Sequence, residues 1–191
     1  DLKPGNIMVS ADGFTKVPYP ADGRPFVDGG FPTRSGRVEL RCDALAALGQ
    51  PALPTYAAPG EAAFAPRFPF SLMTPKVHTR FLNSSYSHLP KHGPLEGGPY
   101  VEVHADDADA LGLTDGASAR VWNDRGAVTV TVRIGDRVRP GVVAIPWGWW
   151  AGQHAGGSTQ GPVANSLTND TLTDWGGGVA FWDTRVALAP A

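Results

Sequence analysis

Cysteine is almost missing from this 191-residue chain: Cys42 is the only one. A single thiol excludes an internal disulfide framework, and it also excludes a metal or iron–sulfur site built from this chain's cysteines alone. Long apolar runs are missing as well. No stretch of 18 apolar residues occurs, so direct membrane insertion is not expected. Charge is sparse and balanced: 16 Lys and Arg against 18 Asp and Glu give a formal net charge of −2, and the basic residues are scattered. That leaves no electrostatic footprint for nucleic acid. An initiator Met is also absent, since the chain starts at Asp1, and upstream sequence is expected. The compartment stays open, with the cytoplasm favoured.

What is plentiful is punctuation. Gly 24 and Pro 18 argue against long helices, while 42% hydrophobic residues suffice for a real core. Between the Gly and Pro residues lie short β-branched runs, read as strands at 37–40, 68–73, 100–103, 117–123, 127–134, 142–145 and 184–188. Alternation is clearest in Ala127-Val-Thr-Val-Thr-Val-Arg-Ile134, where Val128, Val130, Val132 and Ile134 share one face. Asn123-Asp-Arg-Gly126 reads as a hairpin turn in which Arg125 is structural. Helices are expected at Ala105–Leu111, where Asp106 or Asp107 can cap or favour the start and Gly112 closes the end, and at Asp43–Leu48, closed by Gly49. Residues 50–66, rich in Ala and Pro, read as an extended connection, and residues 71–99 hold a long loop. The chain therefore divides into a tail (1–12), an extended lead-in with a short strand and helix (13–66), and a β-rich domain (67–191).

The chemistry concentrates near the end. Ala144-Ile-Pro-Trp-Gly-Trp-Trp150 is an aromatic turn; Val163-Ala-Asn-Ser-Leu-Thr-Asn-Asp170 and Trp175-Gly-Gly-Gly178 follow it with amides, hydroxyls and little charge. Such a surface suits a large polar ligand, so binding rather than bond-breaking is the first inference. Of the tryptophans, two of Trp147, Trp149 and Trp150 read as a hydrophobic plug, with Trp147 on the ligand side. His104 reads as a helix-entry residue, and His88, Lys91 and His92 as a solvated basic loop.

Ordered blocks then carry a family resemblance. Gly29-Gly-Phe-Pro-Thr-Arg-Ser-Gly-Arg-Val-Glu-Leu40, Leu72-Met-Thr-Pro-Lys-Val-His-Thr-Arg-Phe-Leu-Asn-Ser-Ser85, Pro99-Tyr-Val-Glu-Val-His104, Val121-Trp-Asn-Asp-Arg-Gly126, Arg139-Pro-Gly-Val-Val143 and Asn165-Ser-Leu-Thr168 appear in one order. Together they resemble the C-terminal domain of molybdopterin oxidoreductases of the dimethyl sulfoxide reductase family, over roughly residues 13–188. The resemblance implies a mainly β fold, a six-stranded double-psi β-barrel with a few short helices. It also implies a cofactor, molybdopterin guanine dinucleotide with molybdenum or tungsten, held in the full-length enzyme.

Carried over residue by residue, the resemblance puts Thr74, Lys76, His78 and Thr79 on the loop after the first barrel strand. Asn83 and Ser84 continue that loop, and Asn165 matches an amide that faces the pterin, with Thr168 close behind; the aromatic turn adds Trp147 on the cofactor side. No catalytic residue and no metal ligand is expected in this chain; both belong to upstream catalytic domains, its expected partners. The isolated chain is then not itself catalytic. Asp1-Leu-Lys-Pro-Gly-Asn-Ile-Met-Val-Ser10 separately resembles a protein-kinase catalytic loop. The expected Asp-Phe-Gly, glycine-rich loop and strand lysine do not accompany it, which excludes a working kinase. A second class of function stays open, a non-enzymatic double-psi barrel that binds partners.

Overall fold

Alternating β-branched residues form strands because their branched side chains pack on a pleated surface, and the long strand over 127–135 obeys this rule residue by residue. In a computed structural model of the chain, the described residues are 30–53, 55–77, 79–87, 89–150, 163–173 and 176–191, together with the backbone of 8–9 and 15–16. The chain forms two compact units, Asp1–Ala57 and Ala58–Ala191.

In the first unit, β1 (Met8–Val9) pairs antiparallel with β2 (Thr15–Lys16). The kinase-like Asp1, Lys3 and Asn6 lie outside the described residues. Helix α1 (Asp43–Ala47) forms where expected and stops before Gly49, whose φ of 81° only glycine adopts cheaply. The strand expected at 37–40 does not form. Those residues are exposed, and local side-chain bonds compete for the backbone: Glu39 Oε1 accepts from the Ser35 N–H (2.8 Å), and Thr33 Oγ1 donates to the Arg37 carbonyl (2.6 Å).

The second unit is a closed barrel of six strands: β3 (Phe70–Met73), β4 (Tyr100–His104), β5 (Ser118–Trp122), β6 (Ala127–Gly135), β7 (Val142–Ala144) and β8 (Arg185–Pro190). Around the barrel the order is β3-β7-β4-β6-β5-β8, with β3·β7 and β4·β6 parallel and the other neighbours antiparallel. This interleaved mixed sheet is the six-stranded barrel that the sequence led us to expect. Val128, Val130 and Val132 of β6 point inward, joined by Leu72, Val101, Val103, Val121, Val143, Val186 and Leu188. Closure leaves no free sheet edge, and the interior is filled by side chains.

The connection at 50–66 is not wholly extended, since Gly60–Phe64 forms a 3-10 helix. Asp183 holds its start by accepting from the N–H groups of Gly60 (2.7 Å) and Glu61 (3.1 Å). The loop after β3 contains turns and a short helix α2 (Gly93–Glu96). Helix α3 (Ala105–Leu111) ends at Gly112 with φ 66°, as expected. Its cap is His104, not an aspartate: Nδ1 accepts from the Asp106 N–H (3.2 Å), while Asp107 Oδ2 instead accepts from the Gly141 N–H (2.7 Å). His104 is thus the helix-entry residue anticipated.

Candidate functional site

Parallel pairing of β3 with β7 continues past both strands and builds one wall of the site. The Ile145 N–H donates to the Met73 carbonyl (2.9 Å), the Trp147 N–H donates to the Pro75 carbonyl (3.0 Å), and Lys76 bridges Trp147. Thr74, Lys76 and Trp147 are thereby brought side by side from segments more than 70 residues apart. The opposite wall is a 3-10 helix, Ala164–Ser166, whose Ala164 and following Leu167 are sunk in the barrel core.

Two adjoining cavities lie between these walls. The larger, about 680 Å³, is lined by Thr74, Arg125, Trp147, Asn165, Ser166, Thr168, Asn169, Asp170, Val179 and Phe181. The smaller, about 230 Å³, is lined by Ser84, the segment from Trp147 to Trp150, and Val163 to Asn165. Trp147 and Asn165 belong to both. Of the residues singled out from sequence, Thr74, Ser84, Trp147, Asn165 and Thr168 therefore converge. Lys76 lies beside them through its bridge to Trp147. Thr79 turns elsewhere: its hydroxyl donates to Glu96 Oε1 (2.8 Å), which Arg80 also contacts. Asn83 sits next to Ser84 with φ 62°, a left-handed backbone that Asn tolerates better than most residues. His78 and His88 lie outside the described residues, as do residues 151–162 and Trp175.

The tryptophan turn splits into roles. Trp149 is the plug, 2% exposed, and packs edge-on against Phe81 with ring centroids 4.8 Å apart. Trp150 is not a second plug; it is half exposed on the rim of the smaller cavity, one residue beyond the buried pair. Gly148 makes the turn possible. Its φ is 112°, and a Cβ there would stand 3.1 Å from the Phe81 ring and 3.3 Å from the Asn83 carbonyl oxygen.

Three features of the site escaped the sequence reading. Arg125, expected to be structural, is so, yet it also lines the larger cavity. Its Nε donates to the Leu167 carbonyl (2.9 Å) and its Nη1 to Glu61. Asn123 grips the same carbonyl through Nδ2 (2.8 Å) and also reaches the Arg185 carbonyl (3.0 Å). Gly126 lies against the Ser166 carbonyl so closely that a Cβ would come within 2.7 Å of its oxygen. Only the turn composition hinted at these contacts, because they cross some 40 residues of sequence.

The wall carries threonine and serine hydroxyls, the amides of Asn165 and Asn169, one carboxylate (Asp170), one guanidinium (Arg125) and the apolar Trp147, Val179 and Phe181. Thr74 is 5% exposed and lies on the cavity wall. Hydroxyls and amides serve heterocycle edges, and a guanidinium serves phosphate oxygens, so this donor set fits a pterin nucleotide. Among the described residues no cluster of three His, Cys, Asp or Glu side chains suits a metal ion, and no helix is long and apolar enough to cross a membrane.

Comparison with known proteins agrees with this chemistry. Residues 70–185 match the family model described as "Molydopterin dinucleotide binding domain". The chain is 38% identical over 165 residues to "Probable oxidoreductase YoaE" of Bacillus subtilis (strain 168), covering 86% of the chain and 23% of that protein. It is 30% identical over 124 residues to "Dimethyl sulfoxide/trimethylamine N-oxide reductase" of Rhodobacter capsulatus, covering 62% of the chain and 15% of that protein. The chain thus spans less than a quarter of the length of these relatives. Among solved structures, "Acetylene Hydratase from Pelobacter acetylenicus" superposes with a TM-score of 0.71 at 21% identity, over 94% of this chain and 26% of that one, a likeness of fold. A barrel of this strand order, with a hydroxyl- and amide-lined cavity inside the matched segment, belongs to the molybdopterin dinucleotide-binding domain family.

Proposed function

We propose that this domain closes over a molybdopterin guanine dinucleotide carrying molybdenum or tungsten, as the lid of a larger oxidoreductase. The observation that carries the reading is the convergence of Thr74, Trp147, Asn165 and Thr168 on one cavity of about 680 Å³. Within it, the Thr74 and Thr168 hydroxyls and the Asn165 amide hydrogen-bond the pterin edge, and Trp147 packs against a ring face. Lys76, Asn83 and Ser84 serve the nucleotide part, and His78 joins them by its place in the sequence, whereas Thr79, bound to Glu96, braces that stretch. When bound, the group supplies redox chemistry at its metal, while the chain supplies orientation and exclusion of water. Metal ligation and substrate binding fall to upstream catalytic domains of the same enzyme. Phe181 and Trp182, exposed beside the cavity and packed edge-on at 5.4 Å, suit burial against such a domain.

The reading is tested in the full-length enzyme by Asn165→Ala and Thr74→Val. Each variant should hold less pterin and less metal per polypeptide after gel filtration. Unchanged occupancy of both would refute the assignment. A freestanding interaction barrel is not favoured, because the family match covers the barrel strands from β3 into β8.

A further inference from the structure

Glu61 is buried, 5% exposed, and has no place in the reading above. It sits on the 3-10 helix Gly60–Phe64, ahead of the segment matched by the family model. A carboxylate is rarely buried unless each oxygen finds a donor. Here Oε1 accepts from Arg125 Nη1, and Oε2 accepts from the Arg185 N–H at 2.6 Å. Arg125 is held from one side by Glu61, and it spends Nε on the Leu167 carbonyl at 2.9 Å. That carbonyl belongs to the C-terminal cap of the 3-10 helix bearing Asn165, since the Leu167 N–H closes the helix on the Ala164 carbonyl (3.0 Å). Asn123 donates to the same oxygen, at 2.8 Å.

We infer that Glu61 is a positioning residue for the cofactor loop: through Arg125 it fixes the Leu167 carbonyl, and so the direction in which Asn165 enters the cavity. An arginine fork engages two acceptors at once only if both are held in its plane, and its planar donors confer geometry as well as attraction. Without the carboxylate, Arg125 turns toward the cavity or toward solvent, and the Asn165 helix keeps only Asn123 as its grip on Leu167. The 3-10 helix Gly60–Phe64 is then part of the binding device, although none of its residues lines the cavity.

The inference rests on the proposed role of Asn165, and a double-mutant cycle separates the two. Full-length enzyme, purified with its cofactor, is incubated at moderate temperature, and release is followed by the fluorescence of free oxidised pterin and by retained metal. Asn165→Ala should speed release about tenfold, the loss of one good hydrogen bond to the ligand, and Glu61→Gln roughly threefold to tenfold. If Glu61 acts through Asn165, the double variant releases no faster than Asn165→Ala alone. A purely structural role predicts that the two factors multiply, and that result overturns the inference, as does an unchanged rate in Glu61→Gln. An unchanged rate in Asn165→Ala overturns the assignment of Asn165 itself. Should Glu61→Gln fail to fold, Arg125→Lys replaces it in the cycle, since an ammonium cannot reach Glu61 and the Leu167 carbonyl together.

Discussion

Replacing Gly126 by alanine should push the Asn165 loop off its seat, because the obstacle is backbone on both sides. A Cβ at this position would lie 2.7 Å from the Ser166 carbonyl oxygen, about 0.7 Å inside the 3.4 Å at which ordinary contact begins. Neither partner yields freely. The turn is tied by the Asn123 N–H to the Gly126 carbonyl (3.0 Å), and the Ser166 helix is tied by Leu167 to Asn123 and Arg125. Overpacking of this kind costs about 1–3 kcal/mol. For a chain of this size that lowers Tm by on the order of 2–12 °C. The sign is itself informative, since an unobstructed Gly→Ala change would stabilise by about 0.4–1 kcal/mol through the unfolded chain. Gly116→Ala makes the control: its φ of 79° imposes about 1–2 kcal/mol of backbone strain, but nothing lies within 4 Å of the added methyl. Calorimetry of both variants, with pterin content measured in the full-length enzyme, decides the matter. Both should lose Tm, and only Gly126→Ala should lose cofactor. A Gly126→Ala enzyme with normal Tm, or with the pterin content of the control, would refute the close-contact reasoning.

Asn123→Ala removes a side chain that donates to two carbonyls and accepts from the Arg125 N–H, and should cost about 2–4 kcal/mol in urea unfolding for the bonds lost. Phe81→Ala empties a fully buried site against Trp149 and should cost about 3–5 kcal/mol, with a red shift in tryptophan emission as water reaches that ring. Tyr100 gives a pH signature. Burial raises its phenol pKa above the ordinary value, and the Arg133 guanidinium, stacked 3.4 Å from the ring centroid, opposes the rise. The folded state therefore holds the phenol proton more tightly than the unfolded chain does. That contribution is present in full below the unfolded pKa of about 10 and is lost as pH climbs through the raised folded value. Tm should fall less steeply over this alkaline window in Tyr100→Phe than in the parent, and identical slopes would contradict the burial.

Strand content was legible where one face is buried and the other wet. Thr129, Thr131 and Arg133 are exposed between buried valines in β6, so period-two alternation survives in the letters. Residues 37–40 carry the same kind of letters but have no strand partner among the described residues, and local bonds to Glu39 and Thr33 prevail. The 3-10 helix at Gly60–Phe64 was illegible because it has no apolar period; its start is fixed by Asp183, over 120 residues later. The site followed the same division. Thr74 and Asn165 were singled out through ordered blocks that resemble a family, and Trp147 from its aromatic turn, since nothing in their spacing brings them together. Arg125 looked like a turn residue because its partners, Glu61 and Leu167, are distant in sequence and close only after the barrel closes.

Closure also sets an order of events during synthesis. Strand β8 is the last of the barrel to be made, and it fills the gap between β3 and β5, pairing with both. Until residues 185–190 have left the ribosome, both flanking strands present unpaired backbone, and such edges recruit other chains. The cavity between Thr74 and Asn165 cannot take its final shape earlier either, because Asn123 and Glu61 both bond to the backbone of Arg185. The same few residues that seal the sheet also complete the wall of the cavity. An unfinished chain should therefore be both sticky and unable to hold its ligand, and the interval in which a chaperone is useful closes when β8 docks.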